Sequence, residues 1–202
     1  TIISPSTLAV IEEFKKAYPS TKHIQYDAVS GNAIPAANKK VFGNEVIPSY
    51  YFDKAKVIVG FGADFLGTWL MPVEYTKQYS SGRNLEDGRK EMSHHIHFEA
   101  GMSLTGSNAD KRVVVKNSQQ KLVLANLYNE IAKAKGLDAI KVLASPVEVI
   151  KVAEKLMQNE GNSLVVCGSN DIESQVIVNG INYLLGNYGT TIDLNTPLNL
   201  KK

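Results

Sequence analysis

Val57-Ile-Val-Gly-Phe-Gly-Ala-Asp-Phe-Leu-Gly67 is the stretch that decides the fold. Three consecutive β-branched residues predict a strand that is apolar on both faces, the mark of a parallel sheet covered by helices on each side. The glycines end that strand abruptly, and the crevice at the carboxyl end of such a strand is where open α/β sheets bind ligands. Gly60, Gly62 and Gly67 resemble a dinucleotide fingerprint only in part, because the third glycine follows the second by five residues and the fingerprint requires three. The alternative is that Gly60 and Gly62 simply allow a tight turn between strand and loop.

Length and charge narrow the function classes. A chain of 202 residues that is 44% apolar and 8% aromatic can bury roughly 70% of its unfolded surface and needs no staple. We expect residues 1–202 to form a single α/β domain. Its start at Thr1, inside loop-like sequence, leads us to expect a piece of a longer protein. Lys plus Arg number 22 against 20 for Asp plus Glu, a formal charge of +2, so the basic footprint of a nucleic-acid binder is missing. No apolar run approaches the 18 or so residues of a membrane span. The single Cys167 cannot pair within the chain and excludes a cysteine-based zinc or iron–sulfur site in this stretch.

Outward from the central strand, helix and strand patterns alternate. Ser4 to Thr7 can cap a helix with Leu8, Val10, Ile11 and Phe14 on one face, stopped by Pro19. Lys22 to Tyr26 is a short strand candidate, and Pro35 to Phe42 a modest helix with Gly43 past its end. Pro72 opens a helix ending near Gly82, and the polar stretch Ser80 to Glu91 predicts an exposed loop. His94 to Phe98 and Lys111 to Val115 predict strands, and Ser118 to Lys135 a long helix stopped by Gly136. Ser145-Pro146 can cap a helix to about Gln158. Ser163 to Cys167 is a second fully apolar strand, and Asp171 to Leu185 is helical by pattern. This order predicts a three-layer αβα domain with a mainly parallel sheet.

Candidate chemistry is sparse, and no catalytic or metal-binding residue stands out. On a strand, His95 and His97 would share one face as paired metal ligands can, but no carboxylate or thiol joins them and His94 at a ligand spacing. A polar strand edge explains the three better. Cys167 lacks a visible base and fits a small buried strand residue. Ser169-Asn170-Asp171 lacks the second glycine of a hydrolase elbow, so Asp171 reads as a helix N-cap.

Three stretches taken together carry a family resemblance. Asp53-Lys-Ala-Lys-Val-Ile-Val-Gly-Phe-Gly-Ala-Asp64 is similar to the strand-and-loop element of molybdopterin oxidoreductases. Ser103-Leu-Thr-Gly-Ser-Asn-Ala-Asp110 with Val113 to Val115 is similar to the segment after their next strand, and Ile181-Asn-Tyr-Leu-Leu-Gly-Asn-Tyr-Gly189 to a helix ending in Leu-x-x-Leu-x-Gly-Asn. With the opening Ser4-Pro-Ser-Thr-Leu8 and the loop Ala63-Asp-Phe-Leu-Gly67, the chain resembles most closely the molybdopterin-oxidoreductase-like domain of the iron–sulfur subunit of bacterial alternative complex III, a quinol:acceptor oxidoreductase. That resemblance implies a Rossmann-like fold of the molybdopterin oxidoreductase type, with no molybdenum cofactor in this fragment and iron–sulfur clusters elsewhere in the parent chain. It implies other subunits of a membrane-bound respiratory complex as partners, no nucleic acid and no direct membrane insertion, at the periplasmic face of the cytoplasmic membrane.

Departures from the family pattern agree with loss of the cofactor. Asp64 stands where catalytic members usually have Asn, and a carboxylate there would repel a pyrophosphate. Asn117-Ser-Gln119 replaces the family's Gly-Thr-Asp before the long helix. No Cys precedes residue 50, where the family commonly has a metal ligand; Ser30 is the residue that could replace one. Gly60, Gly62 and Asp64 are then a vestigial crevice. Two other readings stay open: a cofactor-binding fragment of an active molybdopterin oxidoreductase, and a generic nucleotide-binding module.

Overall fold

In chain order, the computed structural model, which describes residues 2–26, 29–85 and 90–200, forms α1 (Pro5–Ala17), α2 (Ala33–Phe42), β1 (Ile47–Tyr50), β2 (Val57–Phe61), α3 (Pro72–Arg83), β3 (His94–Glu99), α4 (Leu104–Ser107), β4 (Lys111–Val114), α5 (Asn117–Ala134), α6 (Ile150–Met157), β5 (Ser163–Cys167), α7 (Ile172–Leu184) and β6 (Ile192–Leu198). Four strands make a parallel sheet in the order β4-β3-β2-β5, and β1 pairs antiparallel with β6 in a separate two-stranded sheet. The fold is mixed α/β, a parallel sheet flanked by helices.

Every residue of β2 and of β5 is buried. Alternation along β2 divides the core: Val57, Val59 and Phe61 pack with the inward residues of α5, α6 and α7, while Ile58 packs with Phe52, Phe65, Tyr75 and Tyr79 on the other face. A strand sandwiched in this way has no polar face, which explains the unbroken apolar run. Phe61 and Phe98, neighbours in register, stack with ring centroids 4.7 Å apart.

From β2 the chain steps outward through β3 to β4, then returns to place β5 on the opposite side of β2. The direction of winding therefore reverses between β2 and β5, and their carboxyl ends meet at Gly62 and Gly168. Gly168 N–H donates to the Phe61 carbonyl at 2.9 Å and Gly62 N–H to the Phe98 carbonyl at 2.8 Å. A Cβ on Gly168 would collide with the Gly62 carbonyl, so the two backbones approach as closely as they do only because Gly168 lacks a side chain.

Several sequence expectations need correction. Lys22 to Tyr26 forms no strand; it has no ladder partner among the described residues, and Ile24 and Tyr26 are more than four-fifths exposed. Ser145-Pro146 does not cap α6, which starts at Ile150 behind Val149; the Ser145 hydroxyl instead closes a local turn, donating to the Val147 carbonyl at 2.6 Å. The expected loop from Ser80 begins later, because α3 runs to Arg83, and residues 86–89 of that stretch lie outside the described residues. α1 forms as expected, with the Thr7 N–H donating to the Ser4 hydroxyl at 3.4 Å. None of its residues is buried, and Val10, Phe14 and Tyr18 are each more than half exposed.

Candidate functional site

The winding reversal makes a crevice at the carboxyl end of the sheet, the place where open α/β folds hold ligands. It has two lobes that share Gly62, Gly168 and Ser169. One, of about 450 Å³, lies against Asn117, Lys121 and Asp171; the other, of about 470 Å³, lies against Ser30, Asp64, Trp69 and Asn170. Both volumes fall in the range of small-molecule sites.

The loop that borders the crevice is folded upon itself. Phe65 N–H donates to the Ala63 carbonyl, Leu66 N–H to the Thr105 hydroxyl at 2.9 Å, and the amides of Gly67, Thr68 and Trp69 all donate to the Asp64 carbonyl. Backbone amides of a glycine loop are the groups that cradle a phosphate, and these five are already engaged. The Asp64 carboxylate is engaged too: Oδ1 accepts from Thr105 N at 3.1 Å and Thr105 Oγ1 at 2.7 Å, and Oδ2 accepts from Thr68 Oγ1 at 3.3 Å. Lys121 is the single cation among the described residues lining either lobe. Asp171 at 3.1 Å and Glu173 neutralise it, so little positive charge is left to attract an anion.

Of the vestigial trio, Gly62 and Asp64 line the crevice and Gly60 does not. Gly60 lies inside β2 beneath the His97 ring, where a Cβ would overlap the imidazole; its absent side chain serves packing. Ser30, Asn117 and Ser118 do reach the crevice, whereas Gln119 is not among its lining residues. Cys167 is buried, burial pushes its thiol up to about 11, and Ser169 N–H donates to its sulfur at 3.4 Å. A thiol held in its neutral form is a poor nucleophile. Asp171 caps α7, accepting from Ser174 N at 3.0 Å.

The histidines are not at a sheet edge. β3 lies between β4 and β2, and His95 and His97 are fully buried on the face that holds Phe65 and Tyr79. With Glu99 two residues further on, they form a polar row along one face of the strand. The Tyr79 hydroxyl donates to the Asn108 carbonyl at 2.9 Å, so the 3.2 Å contact to His95 Nδ1 has the imidazole as donor. His95 Nε2 then accepts from His97 Nδ1 at 3.4 Å. That leaves His97 Nε2 as a buried acceptor without a partner among the described residues, 3.6 Å from Glu99 Oε2. Burial and the neighbouring His97 push His95 down to about 3; burial also lowers His97, against the pull of Glu99 and Asp64. Both rings are neutral near pH 7.

Two carboxylates that sequence reasoning passed over hold the ends of this row. Asp110 accepts two bonds from Arg83, each at 2.8 Å, and one from His95 N–H at 2.8 Å, and the Arg83 bonds hold its carboxyl down at about 2 despite partial burial. Burial works to raise Glu99, but Ser103 and Arg112, the latter at 2.5 Å, bring it below the usual range. Among the described residues no group of three or more His, Cys, Asp or Glu side chains is placed to hold a metal ion, and no helix is long and apolar enough to cross a membrane.

The chain matches no family model and no curated protein.

Proposed function

We propose that this chain is a non-catalytic, Rossmann-like αβα domain of the molybdopterin oxidoreductase type, serving as a structural and interaction unit in the iron–sulfur subunit of a respiratory quinol:electron-acceptor oxidoreductase. The observation that carries the reading is the self-engaged loop: five amides and the Asp64 carboxylate at the switch-point crevice already have partners within the protein. A loop in this state turns five of its amides away from a pyrophosphate, and the single cation among the described lining residues, Lys121, is already paired. On this reading the electron-carrying clusters belong to other parts of the parent chain, and the domain works at the periplasmic face of the membrane among other subunits.

Calorimetry of the chain with molybdopterin guanine dinucleotide, NAD and ATP should show no binding at micromolar ligand. Asp64→Asn should give the same blank while losing about 1 kcal/mol of stability, as a charged acceptor for Thr105 becomes a neutral one. Micromolar binding by the unmodified chain that Lys121→Gln abolishes, which would locate it at this crevice, would overturn the proposal. Binding by the Asn variant alone would make this a cofactor site blocked by one charge, and the purely structural reading would fall.

α1 supports the interaction half of the reading. Val10, Phe14 and Tyr18 recur at helical spacing on an exposed face, and contiguous exposed apolar groups mark surfaces that another protein covers. Val10→Asp combined with Phe14→Asp should leave the thermal midpoint of the isolated chain almost unmoved, since surface changes cost within about 0.5 kcal/mol. Co-purification with the other subunits should drop at least tenfold. Undiminished assembly would remove α1 from the interface.

A further inference from the structure

A further cavity lies at the opposite end of the sheet. At the amino ends of β2 and β3 a cleft of about 740 Å³ is lined by Lys54, Lys56, Lys90, Lys155 and His94, with Asp53 and Glu91 as the opposing carboxylates. None of the four lysines lies within ion-pairing distance of a described carboxylate. Lys155 sits in the last turn of α6, where the helix dipole alone favours a cation. Lys54, Lys56 and Lys90 belong to no helix, so no dipole accounts for them. Lys54 holds its ammonium 4.0 Å above the Tyr51 ring, an ordered position for a surface lysine.

Two polar atoms in residues lining the cleft are buried without partners among the described residues: the Ser93 hydroxyl, in a residue that is 6% exposed, and Asp53 Oδ1. Buried polar groups are almost always paired, so an unpartnered hydroxyl and carboxylate oxygen beside a lysine-lined cavity point to a group that arrives from outside. We propose that this cleft binds a phosphorylated small molecule, the lysines holding the phosphate as point charges, with Ser93 and Asp53 pairing with its neighbouring polar groups. The proposal does not depend on the switch-point crevice, which faces the other way along the strands.

The test uses the full chain and inorganic pyrophosphate. Calorimetry at low salt should give a sub-millimolar Kd that weakens as salt screens the lysines. Combined Lys56→Gln and Lys155→Gln should weaken it at least tenfold; Lys141→Gln, an equal kind of charge loss away from the cleft lining, should not. The His94 imidazole reports the site separately. Burial comes first in lowering it, Lys155, Arg83 and Lys111 add to that, and Asp110 opposes them. A bound phosphate should therefore move its NMR titration midpoint upward.

No heat at millimolar pyrophosphate overturns the proposal, and so does an equal loss with Lys141→Gln, which would mean attraction by net charge alone. Binding that survives both cleft substitutions and leaves His94 unmoved would mean that pyrophosphate binds elsewhere and would overturn this proposal; if Lys121→Gln then abolished it, the switch-point crevice would be the site and the non-catalytic reading would fall as well.

Discussion

Ile58→Asp should cost more than about 4 kcal/mol, enough to unfold the chain at room temperature or to bring it close. Ile58 is completely buried on a strand with neighbours on both sides, opposite His95 and Leu164, and its packing partners are Phe52, Phe65, Tyr75 and Tyr79. A carboxylate in that setting loses its hydration and gains no cation, and an unpaired buried charge is among the most destabilising of single changes. Ile58→Val removes one methylene from the same site and should cost only about 0.5–1.5 kcal/mol. Urea unfolding of the two variants separates charge burial from lost volume. A near-normal midpoint for Ile58→Asp would sink the assignment of β2 as the central strand.

What made β2 legible was its lack of alternation, and the same signal marked β5. Both are enclosed on two faces, so every side chain reports the environment. The histidines on β3 were misplaced for the complementary reason. Whether a strand is central depends on which other strands lie beside it, and β4, which turns β3 into an interior strand, follows it by a dozen residues with only modest apolar character. The prolines at 48 and 197 hid β1 and β6. Proline removes a ladder donor, and it is tolerated here because each strand of a two-stranded sheet has an open edge.

At the crevice, sequence located Gly62 and Asp64 but could not tell what Asp64 touches. Its partner Thr105 lies 41 residues away on the short α4, brought near by the pairing of β2 with β3. Tertiary contact thus turns a carboxylate that looked merely repulsive into the acceptor that ties two loops together. The fate of α1 was equally out of reach. Its spacing predicts an apolar face, and only the fold shows that no described part of this chain buries it.

Acid should destabilise this protein well before its carboxylates titrate. An unfolded histidine binds a proton near pH 6.5, whereas buried His95 binds one only near 3. Between those values the unfolded state holds a proton that the folded state refuses, so stability is full above about 6.5 and falls with pH at roughly 1.4 kcal/mol per unit for each such group. His97 shifts in the same direction and steepens the loss. Asp110 acts lower down: its contribution is present above the ordinary 3.8 and is lost only as pH falls toward 2. Glu99, also lowered, begins to lose its contribution around the ordinary 4.5, so the interval from pH 6.5 to 5 isolates the histidines. Urea unfolding across it should show stability declining steadily, and His95→Gln, which keeps polar atoms for Tyr79 and His97 but takes no proton, should flatten that slope by one proton's worth. An unchanged slope in the variant would mean that His95 is protonated in the folded state, and the neutral hydrogen-bonded row along β3 would have to be redrawn.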